Sequence, residues 1–244
     1  MELQDNTPLT KETIFLTRRE TLRAIEIDFQ QYRPQLQTWR EITPMILGKD
    51  IHVIEDFDAR RLWLVSGRRR RMRSITRKEL GDHLIRGLER SVSSLECLAL
   101  ICERIFQTNV WKGALNNGGN KGLYIETGME EFECKKCGKC CQTLDYHDQL
   151  SEHDYRFWRE LGRQDLLEWV RLVQKNSHEF LYRIWVPPGK LAASDRCPWL
   201  YPIETKTTPL WQCRIHAVKP EICRQYPGTR KHAVMTACPG FSFK

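Results

Sequence analysis

Eight cysteines fall between positions 134 and 238 of this 244-residue chain, while the remaining two, Cys97 and Cys102, stand apart. A cluster of thiols constrains a chain more than any apolar pattern does, because an ion held by several segments fixes those segments to one another. The densest run is Glu133-Cys-Lys-Lys-Cys-Gly-Lys-Cys-Cys-Gln142. Its Cys134 and Cys137, separated by two residues, can direct both sulfurs at one ion, and Gly138 permits the positive φ of a tight turn whose amides face sulfur. Cys140 repeats the spacing. Cys141 is adjacent to it, and neighbouring side chains tend to diverge, so both are not expected in one simple tetrahedral site. Two sites, or a small cluster, are implied.

The other thiols arrive in Cys197-Pro-Trp199, Cys213-Arg-Ile-His216, Pro220-Glu-Ile-Cys223-Arg-Gln-Tyr-Pro227 and Cys238-Pro-Gly240. Trp199 to Gln212 reads as two extended pieces around a Thr-rich turn, a hairpin that folds Cys213 back toward Cys197. Eight thiolates suffice for two four-cysteine zinc ions. Four suffice for an iron–sulfur cluster, and Cys-x-x-Cys-x-x-Cys with a distant Cys-Pro is reminiscent of ferredoxin ligation, although the next cysteine here is adjacent instead of three residues on. Four thiolates around a divalent ion leave net negative charge, which Lys135, Lys136, Lys139, Arg214 and Arg224 could offset; each reads equally well as a solvated cation.

Cys134-x-x-Cys137-Gly-x-Cys140-Cys141, Cys197-Pro-Trp-Leu200, Cys213-x-Ile-His216 and Lys219-Pro220-x-x-Cys223-Arg224-x-Tyr-Pro227 together resemble the YkgJ-like cysteine-cluster family. The resemblance implies a domain that chelates zinc or iron, and it leaves about the first half of the chain unexplained. Trp199, His216 and Lys219 depart from the family's usual blocks, and His216, as an imidazole, opens a mixed thiolate and histidine site. A related cysteine pattern occurs in flagellin lysine N-methylase, where it resembles a cluster-bearing part of an enzyme. Two function classes follow: a metal-ion-binding protein holding zinc or iron, and an iron-dependent or iron–sulfur enzyme or redox protein of unknown substrate.

His147, His153 and Asp154 follow the first cysteine run and could complete an open metal site. Ser151-Glu-His-Asp154 is also a Ser-x-x-Asp helix start, followed by Tyr155, Trp158 and Leu161 and stopped at Gly162, and that reading is the simpler one. His178 and His232 are isolated. Trp169, Val170 and Val173 are expected on a helix from Asp165 to Lys175, covering the metal core. Asn117-Gly-Gly-Asn-Lys121 lacks the arrangement of a phosphate-binding loop.

Upstream, Leu22, Ile25, Phe29 and Tyr32 recur at helical steps, predicting an amphipathic helix from Lys11 to about Arg33. Arg61 to Val65 reads as a strand paired with Ile51 to Ile54 across an acidic turn. Thr76-Arg-Lys-Glu79 has the form of a capping box, and Leu80, Leu84, Leu88, Val92, Leu95, Ala99, Cys102 and Phe106 extend a helical stripe to Gln107. Cys97 and Cys102 on that helix point about 140° apart and read as core residues. Asn116 to Asn120 is a breaker before a strand at Leu123 to Glu126, and the domain boundary is set there: 1–120 mainly helical, 121–244 the cysteine module.

With 41% hydrophobic and 29% charged residues the chain is neither disordered nor membrane-like in composition, and no apolar run approaches a bilayer span. Met1 to Asp5 lacks a secretory signal, so a cytoplasmic protein is expected and disulfides are not the first reading. The net charge of +8 is spread over both halves. Its one dense block, Arg68 to Lys78, could contact nucleic acid, though a solvated loop is the simpler reading and no membrane partner is expected. The expected fold is α+β: a helical N-terminal segment and an irregular, metal-organised module of helices and short strands.

Overall fold

The structure, a computed structural model, describes residues 11–32, 36–56, 61–67, 71–92, 94–115, 119–144, 146–174, 180–204 and 210–241. Helices and small antiparallel sheets alternate along the chain, a mixed α+β arrangement. Two compact units divide it: Met1–Glu130 with Thr229–Lys231, and Glu131–Gly228 with His232–Lys244.

The first unit runs β1 (Thr13–Thr17), α1 (Arg18–Gln31), α2 (Leu36–Leu47), β2 (Ile51–Asp56), β3 (Arg61–Ser66), β4 (Arg71–Ile75), α3 (Arg77–Ser91), α4 (Leu95–Phe106), β5 (Val110–Ala114) and β6 (Lys121–Glu126). Ile25, Trp39, Ile42, Leu80, Leu84, Leu88, Leu98, Ile101, Ile105, Leu123 and Ile125 form its buried core, with Leu22 and Phe29 packed against it. Each such side chain contributes about 1.5–3 kcal/mol by leaving water. β2 pairs with β3 as expected, Val53 opposite Leu64, and the acidic turn between them lies outside the described residues.

Two expectations are corrected here. The helix read from Lys11 starts only at Arg18, because Thr17 caps it: its hydroxyl accepts from the Glu20 amide while Glu20 reaches back, and the β-branched run before it pairs as β1 with β6. The long helix from Arg77 is interrupted. Its capping box is present at Thr76 and Glu79, yet α3 ends at Ser91 and the Ser94 side chain caps a second helix by accepting from the Cys97 amide. On either side of the breaker at 116–120, of which 116–118 lie outside the described residues, β5 and β6 pair antiparallel. Two three-stranded sheets thus accompany the helices of a region read as mainly helical.

In the first unit Asp28 is fully buried and accepts from Lys231 Nζ at 2.9 and 2.7 Å, and the same ammonium donates to the Ile105 carbonyl at 2.5 Å. Burial of both side chains would make either charge costly alone, and each compensates the other.

The second unit contains α5 (Lys139–Thr143), α6 (Glu152–Glu160), α7 (Gln164–Leu167), β7 (Val170–Gln174), β8 (Phe180–Ile184), β9 (Leu200–Ile203), β10 (Leu210–Cys213), α8 (Glu221–Arg224) and most of α9 (Arg230–Met235). Its own core gathers Leu150, Trp158, Leu166, Val170, Ile184, Trp185 and Ile215. The helix expected from Asp165 to Lys175 is replaced by a single turn, α7, and the strand β7, which pairs with β8. Val170-Arg-Leu-Val is rich in β-branched residues and pairs with β8, which outweighs the helical spacing of its apolar positions. Val170 lies in this apolar core and Trp169 packs against it.

Candidate metal centre

The cysteine segments are tied to one another by backbone hydrogen bonds. Glu133 N–H donates to the Gly240 carbonyl at 2.8 Å, which sets Cys134 beside the Cys238-Pro-Gly240 segment. Trp211 N–H donates to the Lys136 carbonyl at 2.9 Å, laying the first loop along β10. Gly138 there has φ +71°, as the turn reading requires, and a Cβ in its place would come within 2.6 Å of the Trp211 ring. It leads into α5, which carries Cys140 and Cys141 with their sulfurs 3.8 Å apart.

From α5 the connection passes to the later thiols. Cys197 N–H donates to the Cys141 carbonyl at 3.2 Å. The hairpin β9–β10 forms as expected and sets Cys213 opposite Leu200, three residues beyond Cys197; residues 205–209 of its turn lie outside the described residues. Cys223 sits on α8, whose first amide, that of Glu221, donates to Asp154 Oδ1 at 3.0 Å.

The electrostatics sort these thiols into neighbours. Burial pushes the Cys223 thiol up, and Cys197, Cys140 and Cys213 add to the rise, because a thiolate nearby disfavours a second one. Burial likewise raises Cys197, to about 11, with Cys213 and Cys140 adding to it. Cys213 is raised by burial, with Cys140 again a neighbour. Cys140 is raised first by its hydrogen bond with Cys141 and then by burial. Cys238 has a different company: burial raises it, and the thiols that add to the rise are Cys137, Cys140 and Cys134. Tyr226, raised by burial, stands near Cys238, Cys140 and Cys137, and its hydroxyl hydrogen-bonds Thr236.

Three of these sulfurs also face a main-chain amide two residues on. Trp199 lowers Cys197, Ile215 lowers Cys213 and Gly240 lowers Cys238 through such hydrogen bonds, each favouring thiolate against the effect of burial. In Cys197-Pro-Trp199 and Cys238-Pro-Gly240 the proline has no N–H, so the amide after it is the first that the sulfur can meet. The Cys-Pro dipeptides carried that signal in the sequence.

The cations are placed otherwise than their positions in sequence suggest. Lys135 pairs with Glu133, Lys139 donates to the Ala237 carbonyl at 2.9 Å, Arg214 lies 3.2 Å over the Tyr201 ring, and Arg224 reaches Asp154 at 3.3 Å. Lys219 is the cation that lowers both Cys213 and Cys223, a role that reading by proximity to the first cysteine run missed.

Imidazole and carboxylate candidates have other occupations. Ser151 and Asp154 form the capping box of α6, and Asp154, 1% exposed, also accepts from Glu221 and Arg224. His147 Nε2 is 2.8 Å from the Ser194 carbonyl oxygen. His153 and His216 are exposed, His232 is buried, and His178 lies outside the described residues. Cys102 is fully buried in the core of the first unit with Cys97 packed against that core.

All ten cysteines are free thiols. Among the described residues no three Cys, His, Asp or Glu side chains stand together ready to hold an ion. The donor set fits a thiophilic metal by its chemistry: soft sulfurs on segments joined by backbone bonds, with Cys197 and Cys213 packed against the apolar core and amides turned to three sulfurs. Residues 133–239 match the family described as "CxxCxxCC: Putative zinc- or iron-chelating domain", in accord with the resemblance read from the motifs. No significant match was found among curated proteins or among solved structures.

Proposed function

We propose that this protein holds zinc or iron through the thiolates of Cys134, Cys137, Cys140, Cys141, Cys197, Cys213, Cys223 and Cys238, and that the ion organises the second unit. The observation that carries this reading is the concentration of eight cysteines, on segments joined by backbone hydrogen bonds, within the stretch that the chelating family matches. The metal supplies a positive charge that turns buried thiols, each disfavoured as a lone thiolate, into a compensated cluster. The chain's own residues bind it through sulfur, direct the Trp199, Ile215 and Gly240 amides at the bound thiolates, and set the Lys219 charge near Cys213 and Cys223.

Metal bound by thiolates requires those thiols to lose their protons, so affinity rises with pH and binding releases protons. Ten free thiols accord with a reducing compartment, and the cytoplasm is the proposed location. No helix among the described residues is long and apolar enough to cross a membrane. A contact with nucleic acid through Arg68 to Lys78 gains no support: Arg68 to Arg70 lie outside the described residues, and Arg77 pairs with Glu55 at 3.2 Å.

The test replaces Cys134 or Cys137 by serine in the full chain. Because a structural metal and folding are linked, each variant is expected to release metal or lose the fold of the second unit. Unchanged metal content and unchanged stability in both variants would remove these residues from the site.

A further inference from the structure

Helix α9 has a share in both compact units. Its first residues, Arg230 and Lys231, group with Thr229 in the first unit, whereas Gly228 before them and His232 onward belong to the second. Within the first unit this strap is firmly seated. Thr229 is buried, and Arg230 N–H donates to the Thr127 carbonyl at 2.8 Å. The Lys231 ammonium donates to Asp28 of α1 at 2.9 and 2.7 Å and to the Ile105 carbonyl of α4 at 2.5 Å. The Lys231 side chain is 5% exposed and that of Asp28 0%, so the carboxylate relies on this ammonium to compensate its charge.

The same helix is tied to the cysteine segments of the second unit. Cys238 N–H donates to the Ala233 carbonyl at 2.8 Å and closes α9, and the Gly240 carbonyl beyond it accepts from Glu133 N–H, next to Cys134. On the other flank Tyr226, just past the α8 that carries Cys223, hydrogen-bonds the Thr236 hydroxyl, and that hydroxyl reaches the His232 carbonyl at 2.9 Å. One short helix thus carries at its start the cation that the first unit's core uses, and meets just past its end a thiol of the cluster.

Resting on the metal-binding reading above, we infer that α9 is a strap that couples the stability of the first unit to metal on the thiols. Metal held in part by Cys238 fixes the end of α9, and a fixed α9 keeps Lys231 against Asp28. Loss of the metal frees that end, the ammonium withdraws, and Asp28 loses the cation that compensates it inside the first unit's core. The linkage is reciprocal, so a seated Lys231 also favours the metal-bound form.

The experiment is amide hydrogen exchange on the full-length protein loaded with zinc, or with iron where only iron is taken up, and again after a chelator has stripped the ion under reductant. Stripping is expected to speed exchange in α1 and α4 by about 5- to 150-fold, the usual range of coupling between two sites. In the Asp28→Leu/Lys231→Met variant the core no longer needs an ammonium, so stripping is expected to change the cysteine segments and leave α1 and α4 as they were. A second readout needs no variant: acylation of lysines by an N-hydroxysuccinimide ester, followed by peptide mapping, is expected to spare Lys231 in the loaded protein and to label it in the stripped one. Unchanged exchange in α1 and α4 of the wild type, with Lys231 spared in both states, would overturn the strap while leaving metal binding intact. Equal acceleration of α1 and α4 in wild type and double variant would also overturn it, because the coupling would then run by another route. A chain that takes up neither ion would remove the metal-binding reading, and the strap with it.

Discussion

Cys197 and Cys238 each precede a proline, and at each the amide beyond the proline meets the sulfur. Such detail was legible in the dipeptide, as was the positive φ of Gly138. Lys219 was not: its effect on Cys213 and Cys223 depends on how the Pro220 turn folds, which spacing alone does not determine. Cys102 belongs to the other kind of cysteine. Fully buried among Leu98, Ile101 and Ile105, its thiol is pushed up by burial and nothing in its surroundings offers a second sulfur of the cluster. Cys102→Ala is accordingly expected to leave metal content per chain unchanged while lowering stability by about 1 kcal/mol, the scale of a small core truncation. Loss of metal in elemental analysis of this variant would show that the thiols are wrongly divided. Lys231→Met removes the partner of buried Asp28 and is expected to destabilise the first unit by about 3–5 kcal/mol in denaturant unfolding, more than the double change Asp28→Leu/Lys231→Met. Equal losses in single and double variants would show that the pair is not what holds these two groups.

Among the elements, the strands β3 and β6, the hairpin β9–β10 and the caps at Thr76 and Ser151 were readable because each rests on a local pattern: alternation, a turn, or a polar residue three before an acid. The elements that differ rest on competition between patterns. β1 and α1 share one stretch in which apolar spacing suggests helix throughout, and only the capping box at Thr17 separates them. β7 carries valines at a helical spacing of three, and pairing with β8 decides for the strand. At Thr76 the backbone amide and then the hydroxyl of the cap hold the Glu79 carboxyl below its ordinary value. A carboxyl lowered by folding adds stability that is complete above its unfolded value of 4.5 and is lost as pH falls through its lower folded value. The destabilisation caused by Thr76→Ala, followed by urea unfolding, is therefore expected to be larger at neutral pH than in acid. A pH-independent difference would mean that the hydroxyl stabilises α3 by some route other than Glu79.

For the molecule as a whole, the division of labour between two compact units follows from their side chains. The first buries a conventional set of Leu, Ile and Trp around helices and two small sheets. The second has a smaller core and the eight clustered thiols, with two-stranded sheets and short helices between them. The cysteine concentration was plain in the sequence, and of the first unit's sheets β2, β3 and β6 were read while β1 was obscured by the periodic helix that follows it. The proposed coupling between metal and fold in the second unit leads to the most direct measurement: metal content and optical spectrum of the full-length protein purified without added metal and without oxygen. About two zinc ions per chain and no visible absorption, or iron in stoichiometric amount with a sulfur-to-iron charge-transfer band, is the result this account predicts, the choice between them identifying the metal. A folded chain that carries neither ion, and that takes up neither zinc nor iron when these are supplied, would contradict it.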